Sequence, residues 1–215
     1  KNLIFLSAGG LKAFLLAHDQ KILSVDAVQK KFPAALKIML TPRQDEFLLE
    51  NASSTAYSMA NDGLVTGLVL PDASGTLPSS LLPLKYDSAA GLAVGQTALP
   101  AGSVKFLENL KQRLPALGRS PLAYFELADL SLPDLQAVMQ NGLILKFDLN
   151  ADLEQTLSRL TLLLAQFSDS DLKKIYYVDM RFAERGYVCN KGQPCTSSEA
   201  VPQTASSTAP AGLTP

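Results

Sequence analysis

The sequence predicts an α+β fold in which one helix on a small sheet precedes a mostly antiparallel β domain with two packed helices. Several runs alternate apolar and polar residues with the period of two that is typical of strands. Three other segments place apolar residues three and four positions apart, as amphipathic helices do. Asn-Asp-Gly and Asn-Gly turns separate strand-like runs, as in antiparallel hairpins. Apolar residues make up 47% of the 215-residue chain, which is enough for a substantial core.

The first predicted elements are a helix and two strands within residues 1–45. Ser7 is placed to cap a helix that ends near Asp19. The apolar positions of this helix lie at helical spacing: Leu11, Phe14 and Leu15. Two strands follow around a reversal at Pro33, where the missing N–H does least harm: Ile22–Phe32 and Ala35–Thr41. The pattern predicts a helix packed on a small sheet.

Residues 46–190 are predicted to form the β domain. Its first hairpin joins Ala56–Met59 to Gly63–Leu70 across a turn that begins at Asn61 and whose residues tolerate positive φ. The stretch Pro71–Pro83 is rich in Pro, Ser and Gly and is typical of a surface loop. Further strands are predicted on either side of the Asn141-Gly142 turn and before it: Leu122–Leu127, Leu135–Met139 and Leu143–Leu149.

Two helices are predicted within this domain. Ser103 opens the first, which ends near Pro115, and either Asn150 or Asp152 caps the second. Each carries an apolar stripe: Val104, Leu107, Leu110 and Leu114 in the first, and Leu153, Leu157, Leu160, Leu164 and Phe167 in the second. The stripes predict that both helices pack on the sheet.

The closing run, Lys174 to Val188, predicts a two-sided strand, a tight reversal at Ala183-Glu184 and a final strand over Arg185–Cys189. Alternation assigns two faces: Tyr176, Val178, Met180 and Phe182 on one, and Tyr177, Asp179 and Arg181 on the other. Residues 191–215 are rich in Pro, Ser, Thr and Ala, and we predict that they form a disordered tail.

The residue inventory argues against nucleic-acid binding and against catalysis. The formal net charge is −1, whereas nucleic-acid binders usually carry a strongly basic surface. The single histidine, His18, lies at a helix end, where a structural or solvent-exposed role is favoured over a Ser-His-Asp site because no Gly-x-Ser-x-Gly motif occurs. Neither a phosphate-binding glycine loop nor a tetrahedral metal set is present in the sequence. We therefore expect no catalytic residue, cofactor or metal.

Two residue pairs near the end of the chain have candidate structural roles. Cys189 and Cys195 form either a small disulfide loop, which an extracytoplasmic location would permit, or two independent thiols. Asp179 and Arg181 lie two positions apart on one strand face, where opposite charges can meet. This pair is either a structural ion pair or part of a binding surface.

Two sequence blocks carry a family resemblance. Residues Val178 to Phe182, VDMRF, resemble the "YIDLRF" block that closes the extracytoplasmic β domain of the bacterial cell-division family FtsQ/DivIB. Residues Val25 to Arg43 resemble the paired strands of that family's POTRA (polypeptide-transport-associated) module, in which Phe-Pro precedes "LKI" and a closing Arg. The match spans most of residues 1–188. It implies a POTRA-like module at residues 1–45 whose N-terminal part is missing, followed by the family's β domain.

The resemblance also implies a location and a function. It indicates the extracytoplasmic part of a single-pass cell-membrane protein at the division septum, with the membrane anchor lying outside this chain. The implied function is a non-catalytic scaffold that binds FtsB/DivIC-like and FtsL-like proteins and helps regulate septal peptidoglycan synthesis. The alternative is a POTRA-containing outer-membrane assembly or secretion factor that binds polypeptide substrates.

We expect partner binding at the final strand if that strand is a sheet edge, because an edge offers unpaired N–H and C=O groups to an added strand. The expected contacts map to the closing region, with the arginines facing an acidic partner helix: Arg181, Phe182, Arg185, Gly186, Tyr187 and Val188. The alternative is an ordinary terminal strand that Arg185 and Lys191 protect from unwanted pairing.

Overall fold

The structure, a computed structural model, describes residues 7–31, 35–88 and 91–195. Within them the chain forms these helices: α1 Ala8–His18, α2 Ala101–Leu117, α3 Leu153–Leu164 and α4 Asp169–Leu172. The strands are β1 Ile22–Lys31, β2 Ala35–Pro42, β3 Asp45–Asn51, β4 Ala56–Ala60, β5 Val65–Val69, β6 Leu82–Tyr86, β7 Leu122–Leu127, β8 Asp134–Met139, β9 Ile144–Asp148, β10 Ile175–Asp179 and β11 Tyr187–Asn190. The predicted α+β class is confirmed.

The first unit is the antiparallel hairpin β1–β2 with α1 lying against β1. The predicted cap is present, since the Ser7 hydroxyl accepts a hydrogen bond from the Gly10 N–H at 3.2 Å. No residue of α1 is buried, and Phe14, one of its apolar positions at helical spacing, is 55% exposed. The apolar stripe of this helix is therefore only partly covered by β1 and β2. The reversal predicted at Pro33 lies outside the described residues.

The second unit is a nine-stranded sheet with the order β11-β10-β9-β8-β7-β6-β3-β4-β5. Five of its eight pairs are antiparallel, and the parallel pairs are β3–β6, β6–β7 and β9–β10. Parallel neighbours need a crossover. The chain supplies α2 between β6 and β7, and α3 with α4 between β9 and β10. Strand β11 is the last strand of this sheet along the chain and lies at its end.

The core lies between one face of this sheet and the helices α2 and α3. The predicted stripe of α2 is fully buried, and in α3 only the ends of the stripe, Leu153 and Phe167, are half-buried. Helix α2 begins at Ala101 instead of Ser103 and continues past Pro115 to Leu117. Buried Leu114, whose carbonyl accepts the Gly118 N–H at 2.8 Å, holds this last turn despite the donor that proline lacks.

Strand β3 was not predicted, although it lies between β6 and β4 inside the sheet. Its residues Phe47, Leu48 and Leu49 are all buried, so the strand is covered on both faces and shows no alternation. The Asn-Asp-Gly and Asn-Gly hairpins are confirmed, and their glycines Gly63 and Gly142 adopt φ of +86° and +84°. The short helix α4 was also not predicted.

The closing segment differs from the prediction in two respects. Strand β10 ends at Asp179 and β11 begins at Tyr187, so the predicted tight reversal is a seven-residue loop and Arg185 and Gly186 precede the final strand. The predicted faces are wrong at Tyr176 and Phe182, which are 47% and 49% exposed while Val178 and Met180 are buried. A register shift after Ile175 interrupts the alternation, and the strand ends before Phe182.

The two sheets are joined through Arg43. Its Nε donates to the Asp62 carboxylate at 2.7 Å, and its Nη1 donates to the carbonyls of Gln20 and Ile22 at 2.8 and 2.9 Å. Asp62 belongs to the β4–β5 turn, whereas Gln20 lies between α1 and β1. The guanidinium therefore fixes the first unit against one hairpin of the large sheet.

The β4–β5 turn gives a test of the fold. We expect Gly63→Ala to lower the free energy of unfolding in urea by more than the roughly 1–2 kcal/mol that positive φ alone costs, because its Cβ would collide with the Leu99 carbonyl oxygen. The matched control is Gly75→Ala, where φ is +77° and nothing lies within 4 Å of the added Cβ. Equal losses in the two variants would contradict the close approach at Leu99.

Candidate functional site

The candidate site is the free side of β11. This strand pairs with β10 through Asp179↔Tyr187, Val178↔Val188 and Tyr177↔Cys189, and none of the described strands lies on its other side. The last strand is thus a sheet edge, as the sequence predicted, with the bounds Tyr187–Asn190. Its outward N–H and C=O groups are available for hydrogen bonds to an added chain.

The two faces of β11 have different surroundings. Val188 is half-buried and packs against the core. Tyr187 and Cys189 point to the opposite face, where they neighbour Asp179 and Tyr177 of β10. The edge therefore combines an apolar margin of the core on one face with aromatic and polar side chains on the other.

Main-chain and packing contacts position the loop before β11. The Met180 N–H donates to the Lys146 carbonyl at 2.9 Å, and the Arg159 guanidinium of α3 donates to the Phe182 carbonyl. Gly186 is half-buried, and a Cβ there would lie 2.8 Å from the Met180 sulfur and 2.9 Å from a Leu163 methyl. Gly186, predicted as a partner contact, is thus placed where the loop crosses the core.

Arg181 is held by two carboxylates of its own chain. Its Nε lies 3.0 and 3.2 Å from the two Asp179 oxygens, its Nη2 lies 2.7 Å from Oδ2, and its Nη1 lies 3.1 Å from Asp134 Oδ1. Asp179 is only 6% exposed, and its hydrogen bonds to Arg181 are the main reason why the pKa of Arg181 is raised. The predicted Asp179–Arg181 pair is present. The guanidinium of Arg181 is therefore already bound by carboxylates of its own chain, and its main role is to stabilise the sheet rather than to contact an acidic partner.

Arg185 occupies a different environment from Arg181. It is exposed on the loop, its guanidinium carbon lies 5.7 Å from the centre of the Tyr187 ring, and no described carboxylate forms a salt bridge with it. Lys146 on β9 likewise lies over an aromatic ring, with its Nζ 4.1 Å from the centre of Tyr177. Arg185 and Lys146 are thus two cations beside the edge that pack against aromatic rings.

A cleft of about 210 Å³ opens beside β11. Three of its eleven lining residues are aromatic, and the Phe182 and Tyr187 rings meet edge to face with centroids 5.0 Å apart. Its lining is drawn from β10, the loop, β11 and the segment after it: Tyr177, Asp179, Arg181, Phe182, Tyr187, Val188, Cys189, Asn190, Gln193, Pro194 and Cys195. Four of the six predicted contacts, Arg181, Phe182, Tyr187 and Val188, therefore share one cleft.

A disulfide joins Cys189 of β11 to Cys195, with the Cα atoms 5.5 Å apart. Of the two alternatives that the sequence left open, the structure thus shows the closed loop. The first residues of the predicted disordered tail, up to Cys195, form a turn that this bond closes. The tail from residue 196 to residue 215 lies outside the described residues.

Sequence reasoning missed three contributors to this site. Lys146 lies on β9, Arg159 lies on α3, and Pro194 follows the last strand. A helical or strand pattern predicts which face a residue occupies, but it does not predict which distant loop that face meets. No signal in the sequence joined these residues to β11.

The remaining candidate positions have other surroundings. His18 is exposed at the end of α1, with its Nδ1 2.8 Å from the Phe14 carbonyl oxygen and its ring stacked on Phe14. A larger cleft of about 490 Å³ lies at the start of α2, beside buried Tyr86. Over residues 7–31, 35–88 and 91–195, no three His, Cys, Asp or Glu side chains are grouped closely enough to hold a metal ion.

Comparisons with known proteins give no assignment. No protein-family model matches the sequence, and no curated protein matches it. In the part of the chain that the structure describes, no helix combines the length and apolar character needed to cross a membrane.

The disulfide gives a direct test by mass spectrometry. Unreduced protein should be lighter than reduced protein by two hydrogen atoms, about 2 Da, because reduction converts the Cys189–Cys195 bond into two thiols. Alkylation without reduction should modify neither cysteine. Identical masses before and after reduction would contradict the closed loop.

The ion pair gives a second test. We expect Arg181→Lys to lower the free energy of unfolding by about 1–3 kcal/mol, because an ammonium group cannot reproduce the forked contact with buried Asp179. The control is Arg113→Lys, whose contact with Glu154 is exposed and should be worth less than about 1 kcal/mol. A loss at Arg181 no larger than that at Arg113 would show that the pair does not stabilise the sheet margin.

Proposed function

We propose that this chain is the extracytoplasmic part of an FtsQ/DivIB-like division protein, a non-catalytic scaffold at the septum. In this proposal it binds FtsB/DivIC-like and FtsL-like proteins by β-strand addition at β11 and helps regulate septal peptidoglycan synthesis. The observation that carries the proposal is that, within residues 7–31, 35–88 and 91–195, no strand pairs with the outer side of β11 at the end of the nine-stranded sheet. The resemblance of the VDMRF and LKI blocks to that family supports the proposed family and, through it, the proposed partners.

The chemistry of strand addition fits the surroundings of the edge. Hydrogen bonds from the backbone of β11 to a partner strand would provide affinity, and alternate side chains would provide specificity. Partner residues on one face would extend the core margin at Val188, and those on the other would meet Tyr187 and the cleft. Exposed Arg185 favours an acidic residue in the partner, whereas Arg181 is already neutralised by Asp179 and Asp134.

The cysteine pair supports an extracytoplasmic location. Disulfides persist in oxidising compartments and are rare in the cytosol, where thiols are kept reduced. A Cys189–Cys195 bond is therefore compatible with a domain on the outer side of the cell membrane. A membrane anchor in the full-length protein is part of the proposal through the resemblance.

The alternative is a POTRA-containing outer-membrane assembly or secretion factor. One feature favours it: the β1–β2 hairpin exposes Leu23, Met39 and Leu40, an apolar surface that suits polypeptide substrates. Such a factor would bind many extended polypeptides at this hairpin. A division scaffold would bind its specific partners at β11, so the two functions differ in both location and selectivity.

The proposal is tested by titrating the chain with the extracytoplasmic segment of an FtsB/DivIC-like protein from the same source. We expect Tyr187→Ala and Phe182→Ala each to weaken binding about tenfold, because their rings line the cleft beside β11, where the partner strand would add. Phe14→Ala is the matched control, since Phe14 is an exposed aromatic residue of the other unit and should leave affinity unchanged.

Backbone pairing is tested on the partner. Methylating its amide nitrogens one at a time should weaken binding at every second position, because only alternate N–H groups of an added strand face β11. Affinity that ignores N-methylation and the two aromatic substitutions would contradict strand addition at this edge. Equal binding of unrelated extended polypeptides would favour the secretion-factor alternative.

A further inference from the structure

The disulfide loop forms a wall of the cleft beside β11. Gln193, Pro194 and Cys195 line the cleft together with Cys189 of β11 and Phe182 of the preceding loop. Because Tyr177 and Asp179 of β10 line the cleft together with Tyr187 and Cys189 of β11, it lies beside the strand onto which a partner strand would add. A side chain of that strand would therefore reach the cleft without any further segment of the partner.

The volume of the cleft indicates the size of its occupant. About 210 Å³ is smaller than the roughly 300–1,000 Å³ of typical small-molecule sites and equals about seven water molecules at ~30 Å³ each. That space suits one large side chain. The rings of Tyr177, Phe182 and Tyr187 offer edges and faces on which an aromatic side chain packs well.

Few contacts other than the disulfide hold the loop in place. The Lys191 N–H donates to the Lys174 carbonyl at 2.8 Å, and the Lys191 Nζ donates to the Lys173 carbonyl at 2.9 Å. Beyond Lys191, the described main chain adds a 3.4 Å contact from the Gln193 N–H to the Asn190 carbonyl. Pro194 has no N–H to contribute. Breaking the Cys189–Cys195 bond would therefore allow Pro194 to move away from the cleft, and β11 would stay paired with β10.

We infer that the cleft receives one large aromatic side chain from the added partner strand, and that it does so only while Cys189 and Cys195 are oxidised. This inference rests on the proposed strand addition at β11. Reduction by a dithiol transfers two electrons and two protons to the bond, which breaks to two thiols while the dithiol becomes a disulfide. The binding edge would then keep its backbone groups but lose its side-chain pocket.

The test measures affinity for the FtsB/DivIC-like segment in the oxidised chain, in the dithiothreitol-reduced chain and in Cys195→Ser. Cys195 is exposed, whereas Cys189 is 5% exposed, so Cys195→Ser removes the bond without placing a new polar group in the sheet. Reduction and Cys195→Ser should each weaken binding about tenfold, chiefly through faster dissociation. Dithiothreitol should not change the affinity of Cys195→Ser, which serves as the control for the reagent.

A double-mutant cycle identifies the inserted side chain. Each large apolar residue of the partner is replaced by alanine, and one replacement should weaken binding to the oxidised chain but have little effect on binding to Cys195→Ser. Tyr177→Ala, which removes a ring of the cleft and keeps the disulfide, should abolish the same coupling. If Cys195→Ser also disturbs the pairing of β11 with β10, Tyr177→Ala still tests the pocket.

The outcomes separate the two proposals. If the oxidised chain binds and neither reduction nor Cys195→Ser changes affinity, the inference is overturned while strand addition stands. If no partner residue is coupled to Cys195 or Tyr177, the pocket is equally rejected. If the oxidised chain does not bind the segment at all, the proposed function fails and the inference fails with it.

Discussion

The rest of the site depends on one constraint, which is that β11 is paired on one side only among the strands of the described residues. Strand β10 pairs with β9 in parallel and with β11 antiparallel. The last strand of the chain therefore lies at one end of the sheet. The other margin, β5, is partly covered, because the segment around Gln96 accepts and donates hydrogen bonds at Val65. The two edges of the sheet are therefore not equivalent, and β11 is the one with a built surface beside it.

That surface is held by interactions that do not themselves need a partner. The buried Asp179 carboxylate is satisfied by the fork of Arg181, the Phe182 carbonyl is satisfied by Arg159, and Gly186 allows the loop to pass over Met180. A preorganised loop loses little conformational freedom on binding, which favours affinity. Arg185, Tyr187 and the cleft are left to face outward.

Much of the fold was predictable because its elements are amphipathic. The stripes of α2 and α3, the Gly63 and Gly142 turns and β7 all follow from local periodicity. The failures have physical causes: β3 is buried on both faces and so has no period, and the register shift at Ile175 reverses the face of Tyr176. The Asp179–Arg181 pair was predictable because its members are two positions apart, whereas Arg159 reaches the site only through tertiary packing.

The central claim, that a partner chain completes the sheet at β11, is tested most directly by amide hydrogen exchange. The account predicts that saturating FtsB/DivIC-like segment slows exchange of outward-facing amides within Tyr187–Asn190, because they become hydrogen-bonded, and leaves those of β5 unchanged. Slower exchange at β5 or at the β1–β2 hairpin, with exchange at β11 unaltered, would contradict it.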